Sequence, residues 1–323
     1  MTSIQPVQCA AQDTVAEEVL THYLASAECD ATVRKYLGAA LSSNTLRAYQ
    51  GDLQHFLVWG GRIPATPALV ASYIAQHAER HCITTLSRRL VAIARAHRLA
   101  GLASPTQSPL VRATLQGVRR SQGTALRQVA PLQKSDLLRM VHGLKGLRGL
   151  RDKALLLVGF ASAMRRSELV SLDVSDVVLS QDGLVLRLRR SKTDQEGRGR
   201  EVAIPALRGR HDPGRVLQAW MTAAGIENGP IFRRISRADH VLPYRLAPQA
   251  VALIIKQRAA AVGLDPRQLA GHSLRAGFVT NAARKGASNA SIRRQTGHKS
   301  DGMLQRYIRD AGLFSDNPVS KVW

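Results

Sequence analysis

Six residues in the second half of the chain are of types that handle phosphate, Arg165, Lys192, His272, Arg275, His298 and Tyr307, and Glu168 is a carboxylate that could hold a guanidinium in place. They stand in the stretches "SAMRRSEL", "RRSKTDQEG", "GHSLRAG" and "TGHKSDGMLQRY". A guanidinium stays charged and offers a planar fork of donors that matches phosphate oxygens. A histidine and an arginine three apart share a helix face and can reach one target together. A lysine or histidine can move a proton, and a tyrosine oxygen can act as a nucleophile. Singly, each residue also has an ordinary account. Arg165 and Glu168 make an i,i+3 ion pair, Lys192 is a solvated hairpin lysine, and His272 and His298 sit where helix caps belong. Tyr307 alone is a packing residue.

The elements that must position these groups follow from periodicity. "SSNTLRAYQGDLQHFLVWG" (42–60) opens on Ser/Asn caps and repeats Leu46, Tyr49, Leu53, Phe56 and Leu57 at helical spacing. Helices are also predicted over 67–79, 84–101 and 108–121. Segment 119–131 then loses periodicity and turns basic and Gly/Gln-rich, as a linker does. Beyond it "LQKSDLLRMVHGL" and "RDKALLLVGFASAM" read as helices, the second strongly buried. The stretch 174–205 switches to alternation, with Asp182-Gly183 as a hairpin turn, and predicts a small antiparallel sheet of three strands. Helices resume near 213–224, 247–262, 273–286, 289–296 and 301–310. The expected organisation is an acidic segment 1–30, a helical domain 31–121, a linker 122–131, a mainly helical domain with a small sheet over 132–309, and a tail 310–323.

With 323 residues, two domains are the natural expectation. Lys and Arg number 46 against 23 Asp and Glu, a formal charge of +23. The first 30 residues hold five of the acids (Asp13, Glu17, Glu18, Glu28, Asp30) and none of the bases. So strong a basic excess over the remainder points to a polyanion, nucleic acid first. A hydrophobic share of 45% is enough to build packed cores, unlike a low-complexity packing protein. Cys9, Cys29 and Cys82 form no ligand or disulfide pattern, and no acidic cluster suits a two-metal nuclease. Neither a membrane span nor a signal peptide is apparent, so a cytoplasmic protein is expected.

The order and spacing of Arg165, Lys192, His272-x-x-Arg275, His298 and Tyr307 resemble the catalytic signature of the tyrosine recombinase (phage integrase) family, over the whole chain. "SSNTLRAY" and "ITTLSRRLVAIARAHRLAGLASP" are similar to its Cre-like members. Three positions depart from the common pattern: Ala163 where glycine is frequent, Arg166 where an apolar residue is usual, and Thr296 where leucine is common. The resemblance implies a mainly α fold: a helical core-binding (SAM-like) domain and an α+β catalytic domain, closing as a C-shaped clamp on DNA. It implies Tyr307 as nucleophile, forming a 3′-phosphotyrosine, and Arg165, Arg275 and His298 on the non-bridging oxygens. Lys192 would protonate the leaving 5′-oxygen, His272 would assist as base or hydrogen-bond partner, and Glu168 would orient the site from behind. No metal, cofactor or ATP is called for. Ser43, Thr45, Arg47, Thr84, Arg88 and Arg89, with Lys256 and Arg258, are the candidate DNA contacts. The partners implied are double-stranded DNA with inverted half-sites and a homotetramer, one dimer per site, exchanging strands through a Holliday junction. The tail, with Leu313, Phe314, Val319, Val322 and Trp323, would dock on a neighbouring protomer. Two other functions share features with this one: a type IB topoisomerase, which swivels and reseals, and a DNA-binding repressor that keeps the fold without the chemistry.

Overall fold

The computed structural model describes residues 42–123, 129–189 and 199–298, with 300, 302, 304 and 322. The chain divides into two compact units, Met1–Leu126 and Arg127–Trp323.

In the first unit α1 (Ser43–Val58), α2 (Pro67–His77), α3 (Ile83–Leu99) and α4 (Pro109–Gln122) follow the predicted periodicities within a few residues. Three of them start on a hydroxyl cap: the side chains of Ser42, Thr66 and Ser108 accept from the N–H groups of Thr45, Leu69 and Val111. Each satisfies a donor that the first helical turn leaves over. The apolar stripes meet in a core of Leu53, Phe56, Val70, Tyr73, Ile74, Leu86, Leu90, Ile93 and Val111.

The second unit is built on α6 (Gly146–Ser162), which is buried over most of its circumference. It packs against α5 (Lys134–Val141), α8 (Pro213–Ala223) and α10 (Ser273–Arg284), with the short α7 (Arg166–Ser171) following it. Trp220 lies wholly inside this core and donates its indole N–H to Ile231 O at 3.0 Å. Strands β1 (Val177–Ser180), β2 (Gly183–Leu188) and β3 (Arg200–Pro205) form the expected antiparallel sheet in that order. Ser180 pairs with Gly183, so the turn itself is Gln181–Asp182 and Gly183 is the first paired residue. A Cβ on Gly183 would lie 2.2 Å from Ile204 O, which is why glycine stands there.

A second, two-stranded sheet, β4 (Arg233–Ile235) with β5 (Val241–Arg245), was not foreseen. Then come α9 (Pro248–Ala260), α10 and α11 (Asn289–Thr296). In α10, a Cβ on Gly277 would fall 2.1 Å from Leu132 O, so the glycine lets the helix close on the backbone that enters the unit. Among the described residues no helix is long and apolar enough to cross a membrane.

Candidate active site

Three turns of the second unit, far apart in sequence, supply the cationic groups. The first is the exit of α6. Ala163 caps that helix in the left-handed conformation, φ 50° and ψ 26°. This is a costly geometry for a residue with a Cβ and explains why glycine is natural there. Arg165 follows at the start of α7, and Glu168 reaches back to it. One carboxylate oxygen accepts the Arg165 N–H at 2.9 Å and the other accepts Arg165 Nη1 at 2.6 Å. Glu168 is only 3% exposed. The pair is therefore a built anchor and not a surface ion pair of the kind worth little.

The second turn opens α10. His272 occupies the N-cap position with φ −93° and ψ −8°, but its ring makes no capping bond, and the residue is exposed. Arg275, one turn on, is 4% exposed. Its Nη1 donates to Ala163 O and to Thr296 O, both at 2.7 Å. One guanidinium thus ties the α6 exit to the third turn, where α11 ends at Gly297 in the left-handed conformation (φ 69°). That turn delivers His298, which is 7% exposed and has Nδ1 2.7 Å from Thr296 Oγ1. Burial, then the charges of Arg275, Arg165 and Arg200, push the His298 ring down to about 4. It is a neutral imidazole at physiological pH.

Sequence reasoning missed Arg200. From the first residue of β3 its Nη1 donates to Gln295 O at 3.0 Å, and its Nη2 lies 3.8 Å from Glu168 Oε2. Burial lowers its pKa, with Glu168 acting in the opposite direction. A Cβ on Gly297 would sit 3.0 Å from its Cζ, so the glycine also leaves room for this arginine. One signal was legible: the strand's alternation puts Arg200 on the same face as the buried Val202 and Ile204.

Arg165, Glu168, Arg275 and His298 are thus gathered in one place, with Arg200 added. Lys192 and Tyr307 lie outside the described residues, as do the acidic segment 1–30 and most of the tail. Such a constellation can grip an oxyanion with preorganised donors, in a site already poor in water. Among the described residues no group of three or more His, Cys, Asp or Glu is placed to hold a metal ion.

The DNA-contact candidates divide. Arg47 is exposed and bonded to Asn44 at 2.7 Å, and Thr84 is exposed beside Cys82. Thr45 shares a 2.8 Å hydrogen bond with Ser42 Oγ, and Ser43 starts α1. Arg88 is half exposed and forked onto Asp52 at 2.6 and 3.0 Å. Lys256 is exposed. Two candidates need correction. Arg89 is 7% exposed, set over the Tyr73 ring and 3.7 Å from Asp52, so it belongs to the core of the first unit. Arg258 holds Asp152, which is 1% exposed, through Nε at 2.8 Å. Asp152 is also gripped by Arg151, so Arg258 is a structural cation.

Known proteins agree with this architecture. Residues 131–312 match the phage integrase family. An integrase/recombinase XerD homolog of Selenomonas ruminantium is 37% identical over 301 residues, covering 90% of this chain and 88% of that protein. Tyrosine recombinase XerC of Herpetosiphon aurantiacus is 29% identical over 280 residues, 83% of this chain and 85% of its own length. Among solved structures, a lambda integrase dimer bound to a COC′ core site superposes with a TM-score of 0.64 at 20% identity, over 93% of this chain and 98% of that one. XerH bound to a palindromic difH substrate gives 0.63 at 15% identity, over 99% and 90%. These two likenesses establish the fold, and the relatives at higher identity are of the Xer type. The chain belongs to the phage integrase family: it is a tyrosine recombinase, an enzyme of site-specific recombination.

Proposed function

We propose that the protein cuts and rejoins duplex DNA through Tyr307. The tyrosine oxygen attacks the scissile phosphorus and the P–O5′ bond breaks. The 5′-oxygen takes its proton from Lys192, leaving a 3′-phosphotyrosine and a free 5′-hydroxyl. His272 assists removal of the tyrosine proton. Arg165 and Arg275 hold the non-bridging oxygens as negative charge builds on them, and His298 donates a further hydrogen bond. The phosphodiester energy is kept in the protein–DNA bond, so a second 5′-hydroxyl can reverse the step without ATP.

The observation that carries this reading is the Arg275 side chain bonded to both Ala163 O and Thr296 O, with Arg165 and His298 each two residues further along the chain. Three segments are locked into one oxyanion cradle. Arg47, Arg88, Thr84 and Lys256 are exposed and suited to DNA; Thr45 and Ser43, at the start of α1, join them in the proposal. Exchange runs between two inverted-repeat sites, one dimer on each, through a Holliday junction in a tetramer. The tail links neighbours. Val322 is 81% exposed. An apolar groove of about 780 Å³, lined by Leu137, Leu157, Phe160, Ile204, Phe278 and Ile292, is the seat we assign to a neighbour's tail.

The test is covalent capture. Wild type and Tyr307→Phe are incubated with fragmented host DNA and denatured in detergent, and the protein-linked fragments are sequenced. Fragments joined through a 3′-phosphate, dependent on Tyr307 and sharing an inverted repeat, are expected. Specific binding without any adduct from wild type would instead support a repressor. Resealing within one duplex, with no exchange between two, would support a topoisomerase.

A further inference from the structure

Glu168 is one carboxylate with two guanidiniums in reach. It is 3% exposed, and its Oε1 accepts Arg165 Nη1 at 2.6 Å. Arg200 Nη2 lies 3.8 Å from the other oxygen, Oε2, about 1 Å longer than a hydrogen bond. Among the described residues this Nη2 has no hydrogen-bond partner, although it is shut off from solvent. A buried donor left unsatisfied is costly, so the geometry calls for a state in which the donor is used. Arg200 itself is firmly placed. Its Nη1 donates to Gln295 O at 3.0 Å, and the Gln295 amide donates in turn to Ala161 O at 3.0 Å and Ala203 O at 3.1 Å. The guanidinium also lies against Gly297, where an added Cβ would come within 3.0 to 3.2 Å of Cζ, Nε and Nη1. The carboxylate is the group with room to shift.

The proposed grip on phosphate creates the need for such a partner. Arg165 is to hold a non-bridging oxygen, yet one of its terminal nitrogens is spent on Glu168. Turning that nitrogen to the phosphate would strand a carboxylate in a site closed to water, which is strongly unfavourable. We infer that Arg200 is a positioning residue that takes over Glu168 when Arg165 engages the scissile phosphate, leaving both terminal nitrogens of Arg165 for the DNA. This rests on the oxyanion role proposed for Arg165 above. The backbone N–H of Arg165 donates to Oε2 at 2.9 Å without involving the guanidinium, so Glu168 stays moored to the turn through the exchange. Charges are the same before and after, and only hydrogen-bond partners change.

The experiment asks whether Arg200 acts through Glu168 or through packing. Rates of covalent adduct formation are measured on a nicked duplex carrying the repeat recovered by capture, for wild type, Arg200→Met, Glu168→Gln and the double variant. Without Arg200 the carboxylate keeps its hold on Arg165. Arg200→Met is therefore expected to slow adduct formation about tenfold or more, the equivalent of one transition-state hydrogen bond. A neutral glutamine needs no countercharge, so in the Glu168→Gln background the same change should cost less than about threefold. A residue that only braces Gln295 and Gly297 would cost the same in both backgrounds, and that result overturns the inference, as does Arg200→Met at the wild-type rate. A second measurement leaves the site unaltered and is free of any folding defect in these variants: the crystal structure of Tyr307→Phe on the same duplex. Arg200 Nη2 is expected within about 3.2 Å of Glu168 Oε2, with Arg165 Nη1 on a phosphate oxygen. Phosphate bound with Arg165 Nη1 still on Glu168 and Arg200 Nη2 still apart overturns this inference alone. A wild type that forms no adduct sinks the catalytic reading and this inference with it.

Discussion

The neutral state of His298 has a measurable cost in acid. The ring's ordinary value of 6.5 falls to about 4 in the folded protein, through burial first and then through Arg275, Arg165 and Arg200. Between those two values the unfolded chain binds a proton that the folded chain refuses. Stability from this group is therefore fully present above about pH 6.5 and is lost as pH falls toward about 4. At about 1.4 kcal/mol per unit the whole difference is about 3 kcal/mol, with a slope of about 1 kcal/mol per pH unit near pH 5. His298→Gln removes the titration and keeps a polar side chain. His55, His81 and His211 are also lowered by burial, but they are common to both proteins and cancel in the comparison. The assay is urea unfolding of both proteins from about pH 4.5 to about pH 7.5. It is followed by Trp220 fluorescence in a Trp59→Phe, Trp323→Phe background, where the remaining indole is fully buried in the second unit. The stability of wild type relative to the variant should fall by about 2 to 3 kcal/mol on acidification across that range. Parallel curves would refute the claim that the guanidinium cluster and burial keep this imidazole neutral.

Gly277→Ala should cost about 1 to 3 kcal/mol in thermal unfolding, because its Cβ would meet Leu132 backbone at 2.1 Å and backbone cannot swing away. Gly51→Ala, inside α1 with nothing within 4 Å of the new Cβ, should stabilise by about 0.5 to 1 kcal/mol. Asp152→Ala should cost about 3 to 5 kcal/mol, since it strands Arg151 and Arg258 around a site where the carboxylate is 1% exposed. Arg258→Ala should likewise lower the melting temperature and leave the salt dependence of DNA affinity unchanged, whereas Lys256→Ala should reduce that salt slope by about 1. Removing residues 311–323 should leave binding to a single half-site intact in gel-shift titration and impair cleavage and synapsis. Loss of simple binding through unfolding would count against docking on a neighbour.

Local pattern made much of this fold legible. The capped helices of the first unit, the hairpin and the buried α6 all have periods that sequence displays directly. So do Arg165 with Glu168 and His272 with Arg275, whose short intervals are set by one helical turn. What escaped depends on partners far along the chain. Arg88 and Arg89 are adjacent and identical in type, yet one is half exposed and the other sits in the core. Their shared carboxylate, Asp52, is 36 residues from Arg88. Arg258 finds Asp152 across 106 residues, so a solvated cation and one tied to a buried carboxylate look the same in the sequence. The β4–β5 pair was hidden by its shortness and by Pro243 in an edge strand. Arg200 is the more instructive omission. Arg198 and Arg200 both sit in the basic run "EGRGR", and only strand parity puts Arg200 beside Val202 and Ile204 on the inner face. A charge on the core side of a strand is expensive unless something repays its desolvation. Here Glu168 and Gln295 O hold it, and its field helps keep His298 neutral. Inner-face parity of a charged residue is thus a sign of site chemistry that operates even when no motif contains the residue.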